Sequence, residues 1–224
     1  MMHMDPTYVP DIPKTMRQLR INHLEPTYFD TSEQVLEWVK KRLRTGSRVA
    51  IGGSNTLRDI GVTAYIENGD FQYTNRYVKG HRFQLDTALP QDEVRRSYLD
   101  AFTADFYLMS SNAVTEEGEL VNVDGQGNRV AALAYGPREV IVVVGRNKIV
   151  RDRREAFERL GRIIGSGGMG EQRGFHTPCR RTGSCVSCKS PERCCCTYTI
   201  TSFQRPQAGS QRIQVLIVNE ELGF

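Results

Sequence analysis

All six cysteines of the chain fall between positions 179 and 196. Cys179, Cys185, Cys188 and Cys194 are spaced C-x5-C-x2-C-x5-C, and Cys195 and Cys196 follow at once. Thiolates two residues apart can reach one metal from a tight turn, and the flanking pair can complete a four-thiolate shell. Gly183, Ser184, Ser187 and Pro191 make the segment a loop, and Arg180, Arg181, Lys189 and Arg193 favour the thiolate form by their charge. The spacing is near the plant-type ferredoxin pattern without matching it. An iron–sulfur cluster, structural zinc and reduced thiols without metal therefore all stay open, as does the fourth ligand among Cys194, Cys195 and Cys196. His176 is a further donor, three residues before Cys179.

A second kind of chemistry sits in four polar turns. They are Gly52-Gly53-Ser54-Asn55-Thr56, Ser110-Ser111-Asn112, Asp124-Gly125-Gln126-Gly127-Asn128-Arg129 and Gly145-Arg146-Asn147-Lys148. Each follows a predicted strand, and in parallel sheets ligands bind beyond the carboxyl ends of strands. Glycine lets backbone approach a ligand, Ser54, Asn55 and Thr56 add polar donors, and Arg129, Arg146 or Lys148 can neutralise a carboxylate or phosphate. Taken singly, each turn is explained by tight-turn and capping chemistry. Four in one domain argue for a shared small-anion pocket. None has the Gly-Lys-Ser/Thr ending of a P-loop. Gly125-x-Gly127 lacks the third glycine of a dinucleotide fingerprint, so there is no NAD signature, and no flavin signature either. There is no Ser/His/Asp triad, paired-carboxylate site or HExxH. Asp124 and Glu116 act as acid or base only if the fold brings them into a pocket. His81, within Lys79-Gly80-His81-Arg82, has no assigned role.

The elements that must position these residues alternate. Residues 1–13 read as a loose arm, and residues 14–24 as a helix ended by Pro26. Residues 27–29 form a short strand. Asp30 caps the next helix with Glu33 in the capping-box position, and Val35, Val39 and Leu43 form its apolar stripe. Residues 48–51, 105–109, 119–123 and 140–144 read as strands. Helices are predicted near Leu57 and over 92–102, 130–135 and 152–164. The five consecutive β-branched residues from Val140 to Val144 suit a strand buried on both faces. Residues 197–203 and 212–218 read as two strands forming a closing pair, and residues 65–89 are ambiguous. Strand–helix alternation predicts an α/β fold in three layers with a largely parallel sheet and a C-terminal cysteine-rich loop. Its organisation is an N-terminal arm and first helix over 1–30, then one domain over 31–224 containing the cysteine-rich segment 176–196.

Thirty Lys and Arg against twenty-six Asp and Glu give a net charge of +4, too mild to argue for nucleic acid. From Arg138 to Arg181, eleven basic residues face five acidic ones, a local surplus that suits a solvated helix face or an anionic ligand. No run of about eighteen apolar residues is present to span a bilayer, and residues 1–13 contain no apolar signal core. These features predict a cytoplasmic protein with reduced cysteines.

Ser111-Asn112-Ala113-Val114-Thr115-Glu116-Glu117-Gly118-Glu119-Leu120-Val121-Asn122 and Asp124-Gly125-Gln126-Gly127-Asn128-Arg129-Val130-Ala131-Ala132 closely resemble the core of the lactate-utilisation (LUD) family. So does Gly136-Pro137 followed by the strand ending Val144-Gly145-Arg146-Asn147-Lys148. Gly52-Gly53-Ser54-Asn55-Thr56-Leu57 looks like the family's upstream glycine motif. Thr177-Pro178-Cys179, Thr182-Gly183-Ser184-Cys185, Cys188-Lys189-Ser190-Pro191 and Glu220-Glu221-Leu222-Gly223-Phe224 resemble a cysteine-bearing branch. The resemblance implies a fold akin to the sugar-isomerase and CoA-transferase-like superfamily. It also implies a role in oxidising L-lactate to pyruvate together with iron–sulfur partner subunits. The alternative is a non-catalytic assembly or regulatory subunit stapled by structural zinc. Two features depart from the family pattern: the glycine-rich run over 165–174, and the extra thiols of Cys195 and Cys196.

Overall fold

The computed structural model describes residues 7–78, 86, 88–165, 176–206 and 211–224. His81 and residues 166–174 of the glycine-rich run lie outside the described residues. Five strands form the central sheet: β1 (Glu25–Phe29), β2 (Val49–Ile51), β3 (Phe106–Met109), β6 (Glu139–Gly145) and β9 (Ile213–Val218), in the order β1-β9-β6-β3-β2. Every pairing is parallel. Residues Val140 to Val144 are fully buried, because both faces of the sheet are covered.

Strand alternation divides the core in two. Ile141, Val143, Leu216 and Val218 pack with Val35 and Val39 of α2 (Ser32–Arg42), Leu57 of α3 (Asn55–Asp59) and Val62 and Ile66 of α4 (Val62–Asn68). Val140, Val142, Val144, Val215 and Ile217 face the other way, onto Leu19 of α1 (Ile12–Ile21) and Ala132 and Leu133 of α6 (Asn128–Ala134). The predicted α/β layering around a parallel sheet is therefore present, with helices on both faces.

A second, smaller sheet was not foreseen. It has the order β7-β4-β5-β8, from β7 (Ile149–Val150), β4 (Ala113–Thr115), β5 (Leu120–Asp124) and β8 (Thr197–Thr201). One face joins the central core through Val114, Leu120 and Ile149. The other carries Ala113, Val121, Val123 and Val150 against Ala156, Leu160 and Ile163 of α7 (Arg153–Gly165). The last two strands are consequently no closing pair. β9 is apolar on both faces and is buried between β1 and β6, whereas β8 alternates and pairs antiparallel with β5 at the small sheet's edge. In β8 the threonines at 197, 199 and 201 are half-buried while Tyr198 and Ile200 are exposed, so neither face is packed into a core as both faces of β9 are.

Other predicted boundaries shift by a few residues. Thr31, not Asp30, is the N-cap of α2, and Gln34 rather than Glu33 turns back, its side-chain oxygen accepting from Asp30 N at 2.9 Å. The predicted helix over 92–102 is α5 (Gln91–Leu99) followed by a 3₁₀ turn, Asp100–Thr103. Residues Pro178–Thr182, in the cysteine segment, form the short helix α8.

The turn joining β4 to β5 carries α1. Gly118 has φ +78°, and a Cβ there would lie 2.5 Å from Gln18 C and Leu19 N. Asn22 Nδ2 donates to Glu117 O and Gly118 O at 2.9 Å each, fixing the helix end on the turn. Gly118→Ala combines a left-handed backbone with a clash against backbone, so it is expected to cost about 2 kcal/mol or more in chemical denaturation. A loss under about 0.5 kcal/mol would mean that α1 does not depend on this contact.

Candidate anion-binding site

Because β2, β3 and β6 run parallel, the turns that follow them emerge on one edge of the central sheet. β5 of the small sheet brings the fourth turn to the same place. There they enclose a cavity of about 100 Å³, several times the roughly 10–15 Å³ that one water needs on the same measure. Gly53, Ser54, Asn55, Thr56, Ser111, Asn112, Asp124, Asn128, Arg129 and Lys148 all line it.

Many of these groups hold the walls. Ser54 Oγ caps α3 by accepting from Leu57 N at 3.2 Å. Asp124 Oδ2 accepts from Arg129 N at 3.0 Å and Val130 N at 3.3 Å, satisfying the first turn of α6, which Gly127 opens at φ +80°. Gly52 sits behind the cavity, where a Cβ would lie 2.6 Å from the Tyr107 hydroxyl and 3.0 Å from Arg129 Cγ. Arg129 turns out to be largely a structural cation. Its Nη1 donates to Ser110 O at 3.0 Å and Asn122 Oδ1 at 2.8 Å, and its Nη2 to Asn112 Oδ1 at 2.8 Å and Val123 O at 2.7 Å.

Arg146 and Asn147 lie elsewhere. They border a different cavity beside Tyr8 and Ile12. Arg146 is half exposed near Glu221, at 3.9 Å, and Asn147 Oδ1 accepts from Leu222 N at 3.1 Å. Gly145 allows this tail to approach, since a Cβ would lie 2.6 Å from Glu220 O. Glu116 also stays outside the site, accepting from Tyr8 Oη at 2.6 Å and from Lys14 Nζ at 3.1 Å.

Lys148 is the most unusual group in the cavity. It is 5% exposed, and its Nζ donates to Thr56 Oγ1 at 2.8 Å and Ser110 Oγ at 2.9 Å. Both acceptors are neutral. Burial, with the Arg159 and Arg129 guanidinium groups adding repulsion, pushes the amine down from 10.5 to about 7. Arg159 reaches in from α7, donating to Asn112 O at 3.0 Å and to Phe224 O.

Sequence reasoning missed Arg76. It lies in the ambiguous stretch, flanked by aromatics in Tyr73-Thr74-Asn75-Arg76-Tyr77, the one signal that could have marked it. It lines the cavity at 4% exposure, its guanidinium 4.7 Å from the Tyr77 ring centre and 4.6 Å from that of Tyr98. Nη2 donates to Ile51 O at 3.2 Å, while Nε has no hydrogen-bond partner among the described residues. Gly223 and Phe224 also line the cavity and were not foreseen as site residues.

The cysteines divide between core and surface. Cys179 and Cys195 belong to the apolar cluster with Leu160 and Ile163, and Thr177 Oγ1 is 3.1 Å from Cys179 Sγ. Cys194 is buried, Cys188 partly buried, and Cys185 and Cys196 are exposed. None of the six is in a disulfide, and among the described residues no three His, Cys, Asp or Glu side chains gather to hold a metal ion. Assembly of Cys179, Cys185, Cys188 and Cys194 around iron–sulfur or zinc is a proposal that metal analysis of the purified chain tests. His176 is exposed, with Nδ1 3.5 Å from a Glu192 carboxylate oxygen.

Fold and site together define an α/β domain with a cation-lined pocket at the carboxyl edge of its parallel sheet. The chain belongs to the LUD-domain family, whose model matches residues 12–218. The family is associated with lactate utilisation. A solved structure, described as a DUF162 family protein from Deinococcus radiodurans, is similar at 18% identity and a TM-score of 0.46, covering 93% of this chain and 96% of that one. No curated protein matches. Among the described residues no helix is long and apolar enough to cross a membrane.

Two outcomes follow from this geometry. The unfolded chain holds a proton on Lys148 up to about pH 10.5, whereas the folded chain releases it near 7. Between these values the unfolded state binds more protons, so this residue makes stability rise with pH. The stability of Lys148→Met relative to the native chain is therefore expected to be greatest below pH 7. That difference should shrink by a few kcal/mol toward pH 10, read from denaturation curves. A pH-independent difference would place the amine's titration elsewhere. For the thiols, Cys185 and Cys196 are expected to react rapidly with a thiol reagent, and Cys179, Cys194 and Cys195 only slowly. Joint protection of Cys179, Cys185, Cys188 and Cys194 that a chelator releases would instead reveal an assembled metal site.

Proposed function

We propose that this chain is the carboxylate-binding component of a lactate-utilisation system and takes a small 2-hydroxy or 2-oxo acid, such as L-lactate or pyruvate, in the pocket. The observation that carries this reading is the presence of Lys148 and Arg76 in one cavity, both buried and neither ion-paired with a carboxylate among the described residues. Burying cationic groups without a counter-ion is costly, and an anionic ligand offsets that cost. Arg76 supplies a permanent charge. Asn55, Ser111 and Asn112 add polar contacts for a hydroxyl or oxo group. The cavity's small volume favours a ligand of few atoms over a nucleotide.

Family membership supplies the lactate context, and the pocket supplies the acid. In this reading, oxidation of L-lactate to pyruvate passes its electrons to iron–sulfur partner subunits of the same system. One observation favours the second reading, a non-catalytic assembly or regulatory subunit. Asp124, the carboxylate in the cavity, already caps α6 and is no free base.

Calorimetric titration of the purified chain separates acid recognition from general polarity. L-lactate and pyruvate are expected to bind at least about tenfold more tightly than the neutral analogue lactamide, and Arg76→Gln to weaken both acids by about tenfold or more. Equal affinity for acid and amide would overturn the reading.

A further inference from the structure

A buried lysine usually keeps its proton through a nearby carboxylate. Lys148 donates instead to two hydroxyls, Thr56 Oγ1 and Ser110 Oγ; the Asp59 carboxylate nearby favours its proton, but burial and the Arg159 and Arg129 guanidinium groups outweigh it. A neutral amine has two N–H bonds and one lone pair. The two hydroxyls take both N–H bonds, so the lone pair is left for an electrophile. The amine lines a cavity, and the backbone beside it carries no side chain: a Cβ on Gly223 would lie 2.7 Å from Thr56 Oγ1 and 3.3 Å from Lys148 Nζ. Arg76 lines the same cavity, and its buried Nε has no hydrogen-bond partner among the described residues. A cation and a neutral amine in one pocket suit a molecule with a carboxylate beside a carbonyl.

We propose that Lys148 is a nucleophilic amine that condenses reversibly with the carbonyl group of a small 2-oxo acid held in the pocket. The inference rests on the proposed carboxylate site and names a reaction for it. The nitrogen lone pair attacks the carbonyl carbon and forms a C–N bond. The π electrons move to oxygen, which takes up a proton as nitrogen loses one, giving a carbinolamine. Cleavage of the C–O bond with a second proton transfer releases water and leaves the imine, and water reverses the sequence. Amine plus oxo acid equals imine plus water, so no oxidant or reductant enters. Ser110 and Thr56, at hydrogen-bond distance from the nitrogen, are placed to carry the protons. A 2-hydroxy acid can occupy the same pocket but has no carbonyl to condense. The site thereby discriminates the two oxidation states of one carbon skeleton, retaining the oxo acid covalently.

The test is reductive trapping of the full chain with pyruvate and sodium cyanoborohydride, followed by intact-mass measurement and peptide mapping. The expected result is one adduct per chain, on Lys148, with excess L-lactate slowing its formation at least about tenfold. Its rate should rise through pH 7 rather than near 10.5. Lys148→Met should lose the adduct. Should that variant fail to fold, the mapped position in the native chain decides the matter. Calorimetric binding of pyruvate without trapping would overturn the imine and leave the carboxylate pocket standing. Neither binding nor trapping would overturn both. Adducts spread over exposed lysines, unaffected by L-lactate, would also overturn the proposal.

Discussion

The Arg129 guanidinium is the tie on which the site depends. It binds the end of β3 through Ser110 O and the small sheet through Asn112, Asn122 and Val123. The two sheets have no strand pairing in common; they share an apolar core through Val114, Leu120 and Ile149, and at the cavity this guanidinium bridges them. A buried guanidinium tolerates little displacement, because each lost acceptor leaves a desolvated charge-bearing donor. The backbone obeys the same demand: Gly52 is small enough to let Arg129 and Tyr107 pass behind the cavity.

The charge distribution follows from that tie. Several glutamates are engaged away from the pocket, Glu119 by Arg153, Glu155 by Arg151 and Glu116 by Lys14. Asp124 is committed to α6. Around Lys148 the Asp59 carboxylate is outweighed by burial and by the Arg159 and Arg129 guanidinium groups, so the amine is eased by giving up its proton or by receiving an anion. The pocket's chemistry comes from this imbalance and from the hydroxyls that replace a counter-ion.

The cysteine segment shows how far spacing can lead. Four thiols at C-x5-C-x2-C-x5-C read as a ligand set in a loop. The folded segment instead gives Cys179 and Cys195 to the core beneath α7, as small apolar side chains. Spacing states which thiols can converge, whereas the hydrophobic cluster of Ala156, Leu160 and Ile163 decides which are drawn inward.

By itself the sequence determined the parallel sheet and its polar edge. The unbroken β-branched run from Val140 to Val144 can be buried on both faces only in a covered sheet, and turns rich in Gly, Ser and Asn after successive strands must gather where those strands end. The motif from Ser111 to Arg129 placed the chain in its family, since those residues lock one another through local hydrogen bonds. Tertiary structure alone decided the rest: that Arg129 is a tie, that Arg146 points to another cavity, that Arg76 enters the site and that Lys148 sits among hydroxyls. Ionisation and availability depend on burial and on neighbours distant in the chain, such as Thr56 to Lys148 or Arg159 to Asn112. No local pattern encodes how those neighbours are brought together.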